Sequence, residues 1–160
     1  MKRINRRSRM MLFTVLMAVM LAAVYSSGIL ISEDMVTGSF LNAKLPPCPA
    51  HPFGTDALGR DLFFRTLKGM SVSITVGLAA SAVSAVIAVL AGAAAAIGSK
   101  RVDAVISWLI DLVMGIPHTI LIILISFALG RGLKGLIAGI AATHWCSLAR
   151  LVRGEVLQLR

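Results

Sequence analysis

The sequence predicts an all-α integral membrane protein, a helical bundle with four membrane segments, and three observations carry that prediction. The 160 residues are 58% hydrophobic with a mean hydropathy of +0.88, far above the apolar share of a soluble domain. A chain this short cannot hide that much apolar surface in one water-soluble core. Residues 70–99 contain no Asp, Glu, Lys or Arg. The almost wholly apolar part of that run, residues 72–97, makes a helix of ~39 Å at about 1.5 Å per residue, where ~20 residues suffice to cross a bilayer. Finally, the Lys and Arg residues behind the net charge of +9 sit in clusters between apolar runs. Membrane topology arranges basic residues in that way, whereas nucleic-acid binding gathers them in one stripe. No nucleic-acid partner is expected.

Residues 1–9 carry Lys2, Arg3, Arg6, Arg7 and Arg9 with no acid, and read as a cytoplasmic basic tail. Residues 10–31 are free of charge and form the first span. At 22 residues this run exceeds the ~7–15 of a secretory signal core, and no clean Ala-x-Ala site follows Ala23. An uncleaved first helix is therefore favoured over a cleaved leader. Residues 32–71 form a loop on the far side of the membrane. Its Pro46-Pro47-Cys48-Pro49 cluster forbids continuous helix. A short interfacial helix is expected over Asp61–Lys68, with Leu62, Phe63 and Leu67 apolar. Cys48 and Cys146 lack metal-ligand spacing, so neither zinc site nor disulfide framework is expected.

The second span, residues 72–97, is dotted with Ser73, Gly77, Ala80, Ser81, Ser84, Ala88, Ala91 and Gly92. In lipid, small residues permit close helix approach, so this span is expected inside a bundle. The third span, residues 102–129, holds Asp111 and Pro117. An Asp placed mid-membrane costs ~2.5–3.5 kcal/mol on insertion scales and normally finds a partner or an aqueous cavity. A structural ion pair or an interfacial placement, and a transport role, stay open for it. Pro117 frees the carbonyl of Val113 and permits a kink. Residues 136–148 are short for a fourth span. His144 beside Trp145 fits an interface position, and no second ligand at helical spacing suggests a metal. Arg150, Arg153, Glu155 and Arg160 close the chain. With the N-terminus inside, ten basic residues fall inside (five in 1–9, Lys100 and Arg101, and Arg150, Arg153 and Arg160). Six fall outside (Lys44, Arg60, Arg65, Lys68, Arg131 and Lys134). That excess supports a cytoplasmic N-terminus.

His51-Pro-Phe-Gly54-Thr55-Asp56, then Gly59-Arg60-Asp61, then Gly69 with Ser73, resembles the permease subunits of the dipeptide, oligopeptide and nickel branch of ABC importers. The second of the two permeases in such systems is the nearer likeness. The likeness continues through Arg101-Val-Asp103, Asp111, Pro117, Gly130 and Gly132, and from Trp145 through Arg150 and Arg153 to Leu157. It implies a type I ABC importer permease fold of about six helices, of which residues 72–160 are the incomplete permease domain, in a bacterial or archaeal plasma (inner) membrane. It implies a second permease subunit, two cytoplasmic ATPase subunits that bind the ATP, and an extracytoplasmic solute-binding protein. The family motif falls on Gly54, Thr55, Asp56, Gly59, Arg60 and Asp61. Asp111 and Pro117 are the intramembrane candidates, and Arg150, Arg153 and Glu155 lead toward the ATPase-coupling segment. The chain stops before that segment's Glu-Ala-Ala signature and the last two spans, which reads as a C-terminal truncation. The implied work is movement of peptides or nickel chelates along a pathway lined by small faces of the second and third spans. No Walker lysine, GxSxG or HExxH element is present, so no enzymatic activity and no cofactor of its own are expected. A self-contained channel and a non-functional fragment remain the alternatives.

Overall fold

A computed structural model describes residues 6–159. Lys2 and Arg3 of the basic tail, and Arg160, lie outside the described residues. Six α-helices follow in order: α1 Arg6–Leu30, α2 Glu33–Val36, α3 Leu62–Ile97, α4 Lys100–Met114, α5 His118–Ala128 and α6 Leu133–Gln158, with one 3-10 turn at Phe40–Asn42. Among the described residues the only β pairing is two isolated bridges, Cys48 with His51 and Thr55 with Asp61. Helices α1, α3 and α6 are each long and apolar enough to cross a membrane, and the bent pair α4–α5 makes a fourth candidate span. The all-α membrane fold expected from composition is the one observed.

The chain divides into two compact units, Met1–Ile74 and Thr75–Arg160. In the first unit α1 is apolar along almost its whole length and exposes large side chains from Met10 through Leu21. Only lipid or another protein surface can cover such a face without cost. Near its C-terminal end Gly28 is buried. A Cβ there would lie 2.7 Å from the Leu67 carbonyl and would overlap Ser71, so glycine permits the close crossing of α1 on the start of α3. The Lys68 Nζ then donates to the Ile31 carbonyl (3.1 Å) and to Glu33 Oε1 (2.8 Å), closing the end of α1 with a cation.

The expected separate helix over residues 61–68 is instead the opening of α3. Nothing stops the helix at Gly69, since one internal glycine costs only ~1 kcal/mol and no proline follows. At 36 residues, or ~54 Å, α3 outruns a hydrocarbon core of ~30 Å.

In the second unit α3 buries Val76, Ala80, Ser84 and Ala88, a four-residue stripe that Gly92 continues. The Ser84 hydroxyl donates to the Ala141 carbonyl of α6 (3.2 Å). Ala88, Ile110, Trp145, Cys146 and Ala149 form the core, with Ala91, Ile106, Val113 and Leu148 packed on it. So Ser84 serves packing against α6, while Gly77 has open space where a Cβ would stand.

The expected third span, residues 102–129, is two helices with a 94° bend between them. Helix α4 begins at Ser99, whose hydroxyl accepts from the Val102 amide. It ends at Gly115, and Pro117, lacking an N–H and forcing Ile116 out of helical geometry, starts α5 in a new direction. Pro117 therefore breaks the helix where a kink was expected. Gly130 and Gly132, both with positive φ, turn the chain into α6. Gly135 and Gly139, one turn apart, then let α6 approach α5. A Cβ on Gly139 would lie 2.9 Å from both the Ile122 carbonyl and Ser126 Oγ. Such small-residue spacing is how helices associate in lipid. The short fourth apolar run thus becomes the 26-residue α6, which also contains Arg150, Arg153 and Glu155.

Candidate functional site

The six motif residues come together in the first unit as one hydrogen-bonded turn. The Asp56 carbonyl accepts from the Gly59 amide (3.0 Å) and its amide donates to the Arg60 carbonyl (3.0 Å). Asp56 Oδ1 accepts from the Leu58 and Arg60 amides (2.8 and 2.9 Å), an Asx-type turn that an aspartate side chain can build. Oδ2 takes the Arg65 guanidinium at 2.7 Å. The Arg60 amide, helped by the Leu58 amide and the Arg60 and Arg65 charges, holds the Asp56 carboxyl below the usual carboxylate range against a smaller upward push from burial. Gly54 and Gly59 both have φ near +70° (71° and 72°), backbone that disfavours side chains. Thr55 is buried; its hydroxyl accepts from the Leu45 amide at 2.8 Å and donates to the Asn42 carbonyl, fastening the segment before the prolines to the motif.

Asp61 finishes the motif and starts α3. Its Oδ1 accepts from the Phe63 and Phe64 amides (2.8 and 3.3 Å), the bonding of an N-cap. Oδ2 accepts from His51 Nδ1 at 2.8 Å. Burial pushes this carboxyl up, but the His51 bond and the two helix amides together hold it below the ordinary value. Thr55, Asp56 and Asp61 thus spend their side-chain oxygens on nearby backbone and on Arg65 and His51. What they produce is a hydrogen-bonded turn that fixes where α3 begins. Cys48 is a free thiol beside this turn, its backbone paired with His51.

In the second unit Asp103 and Asp111 of α4 are each paired with an arginine of α6, and Pro117 lies at the break that follows α4. Arg153 grips Asp103 with both forks, Nε to Oδ1 and Nη2 to Oδ2, each 2.6 Å. Arg150 Nη2 donates to Asp111 Oδ1. Asp103, Ser107 and Asp111 recur every fourth residue along α4, about a quarter turn round the helix from the apolar Ile106, Ile110 and Val113. So α4 sets its apolar face into the core and ties its polar face to α6. Asp111 is thus found in an ion pair with Arg150. The sequence reading missed the Asp103–Arg153 pair, although the four-residue polar stripe on α4 was a usable signal. Glu155 is exposed, and its carbonyl accepts the Leu159 amide that closes α6.

The strength of the Asp103–Arg153 grip can be read by exchanging its charges. Asp103→Arg and Arg153→Asp should each lower the detergent Tm by a few degrees, and the double exchange should restore at least half of the loss. A double variant no better than the singles would mean that the pair is not coupled.

The histidines the sequence left without a role are also brought together. The His118 and His144 rings meet edge to face with centroids 4.7 Å apart. They share a cleft at the α4–α5 break with Met114, Pro117, Thr143 and Ser147.

No family model matches the chain. Among curated proteins, it is 37% identical over 128 residues to the dipeptide transport system permease protein DppC of Bacillus subtilis (strain 168), covering 80% of this chain and 40% of that protein. It is 39% identical over 127 residues to the oligopeptide transport system permease protein OppC of the same organism, covering 79% of this chain and 42% of that protein. The chain therefore spans about two fifths of the length of these relatives.

Proposed function

Since this chain belongs with the permeases of dipeptide and oligopeptide ABC transport systems, to which it is homologous over most of its own length, we propose that it forms part of the membrane pathway of an ATP-driven peptide importer. The single observation that carries the reading is this homology, 37–39% identity over about four fifths of the chain. The chain alternates between inward- and outward-facing arrangements, and its partners supply the bias between them. Those partners are a second permease subunit, two ATPase subunits on the cytoplasmic side and a solute-binding protein on the other. Peptides are the preferred cargo, because both relatives are named for peptide transport; nickel chelates are the second choice. The N-terminus lies in the cytoplasm of a cell bounded by this inner membrane, by the count of basic residues. In that orientation the turn around Asp56 faces the binding protein, and α6, with Arg150, Arg153 and Glu155, runs toward the ATPase.

Photo-crosslinking tests the assignment. Probes placed at Ala57 and Leu58, both exposed, should capture the solute-binding protein when the whole transporter is expressed, and probes at Leu157 the ATPase. Capture of the ATPase from Ala57 would reverse the orientation. A purified chain that conducts peptides in vesicles by itself would favour the self-contained channel.

A further inference from the structure

From the pairing of His118 with His144 we propose that the break between α4 and α5 is a binding site for a divalent transition-metal ion, held by these two imidazoles. The inference goes beyond the transport reading and stands without it. The two residues are 26 positions apart, on different helices, and meet only because Pro117 starts α5 in a new direction beside α6. Their ring centroids are 4.7 Å apart. With metal–nitrogen bonds of about 2.0–2.1 Å, an imidazole centroid stands about 3.2 Å from its ion. Two imidazoles at right angles around one ion then have centroids about 4.5 Å apart, and at the tetrahedral angle about 5.2 Å. The observed spacing falls between these two arrangements, and from the edge-to-face contact at 73° a turn of the exposed His118 ring about its side-chain bonds aims its lone pair at the shared ion.

His144 is also set in the form a ligand needs. Its Nδ1 lies 3.0 Å from the Ile140 carbonyl, an oxygen that can only accept, so Nδ1 carries the proton. In the neutral ring this leaves the lone pair on Nε2. A backbone carbonyl that fixes one imidazole nitrogen so that the other can coordinate is a recurrent feature of metal sites. His118, the first residue of α5, is exposed and free of helix crowding on its N-terminal side. The two rings border a cleft of about 610 Å³, ample for an ion and its waters. Among the described residues no third His, Cys, Asp or Glu joins them. The described residues thus supply two ligands there, and an ion held by two imidazoles keeps its remaining positions for water or for donor atoms of a passing solute. Imidazole pairs suit Zn²⁺, Ni²⁺ and Cu²⁺, with Cu²⁺ held most tightly.

The test uses the full chain, without an affinity tag, in detergent. Ni²⁺ titrated by calorimetry should bind at one ion per chain. His118→Gln and His144→Gln should each weaken binding at least ~10-fold, the scale on which such sites respond, with helical circular dichroism unchanged. His51→Gln should bind as the parent does. Under Cu²⁺, electron paramagnetic resonance should show two coordinated imidazole nitrogens in the parent and one in either single variant. The proposal is overturned if no ion saturates at one per chain, if the double variant His118→Gln/His144→Gln binds as tightly as the parent, or if binding follows His51.

Discussion

Replacing Gly59 with valine is expected to open the turn between the first two long helices and expose Cys48 to alkylation. Two effects act together. Gly59 has a φ of 72°, where a residue with a Cβ loses about 1–2 kcal/mol. The added Cβ would also overlap the Ser39 carbonyl, a backbone atom that can yield only if the segment moves. The backbone term alone multiplies the open population roughly 5- to 30-fold, and the overlap adds to it. Cys48 reports the change, since it is partly buried and pairs through its backbone with His51. Its maleimide reaction should accelerate by at least fivefold in Gly59→Val, while Ala57→Ser, at an exposed position of the same turn, should react like the parent. An unchanged Cys48 rate in the valine variant would show that this turn does not hold the loop.

Gly92→Leu should have a comparable effect on the second unit. A Cβ at Gly92 would stand 2.6 Å from the Ala149 carbonyl and 2.8 Å from Val152 Cβ. The first of these is helix backbone, so α3 and α6 must separate, loosening the core around Ala88, Cys146 and Ala149. Overfilling a packed interface costs about 1–3 kcal/mol, which for a chain of this size lowers the Tm by about 2–12 °C. Cys146, 1% exposed, should become alkylatable below the parent's transition. Gly77→Leu is the matched control on the same helix, because open space surrounds its Cβ position. Equal stability of Gly92→Leu and Gly77→Leu would refute the close α3–α6 approach.

The contrast between these two glycines shows what the sequence could and could not reveal. Small residues on α3 announced helix packing, yet Gly77, Ser81 and Ser73 look no different in sequence from Ser84 and Gly92. Which ones are used depends on the direction from which α6 arrives, and residues 57 positions away decide that, as in the Ser84–Ala141 bond. The motif was marked in the sequence only by its likeness to a family, and its bonds were not legible there, since Thr55 reaches Asn42 and Leu45 and Asp61 reaches His51. The boundary between α4 and α5 was only half legible. Pro117 marked the place, but the averaged apolarity of residues 102–129 concealed the 94° bend. The polar stripe of Asp103, Ser107 and Asp111 against Ile106, Ile110 and Val113 was the local sign that α4 lies differently from a plain span. The meeting of His118 with His144 left no sign at all in helical spacing, since it is created by that bend.

The two ion pairs between α4 and α6 also set an order of events during synthesis. Asp103 leaves the ribosome 50 residues ahead of Arg153, and Asp111 leaves 39 ahead of Arg150. At ~5–20 residues per second, the earlier carboxylate waits about 2.5–10 s for its counter-ion. Through that interval α4 cannot settle against the growing protein with its charges matched. Its final docking is thus a late step of biogenesis, timed by the emergence of the second arginine rather than by the insertion of α4 itself.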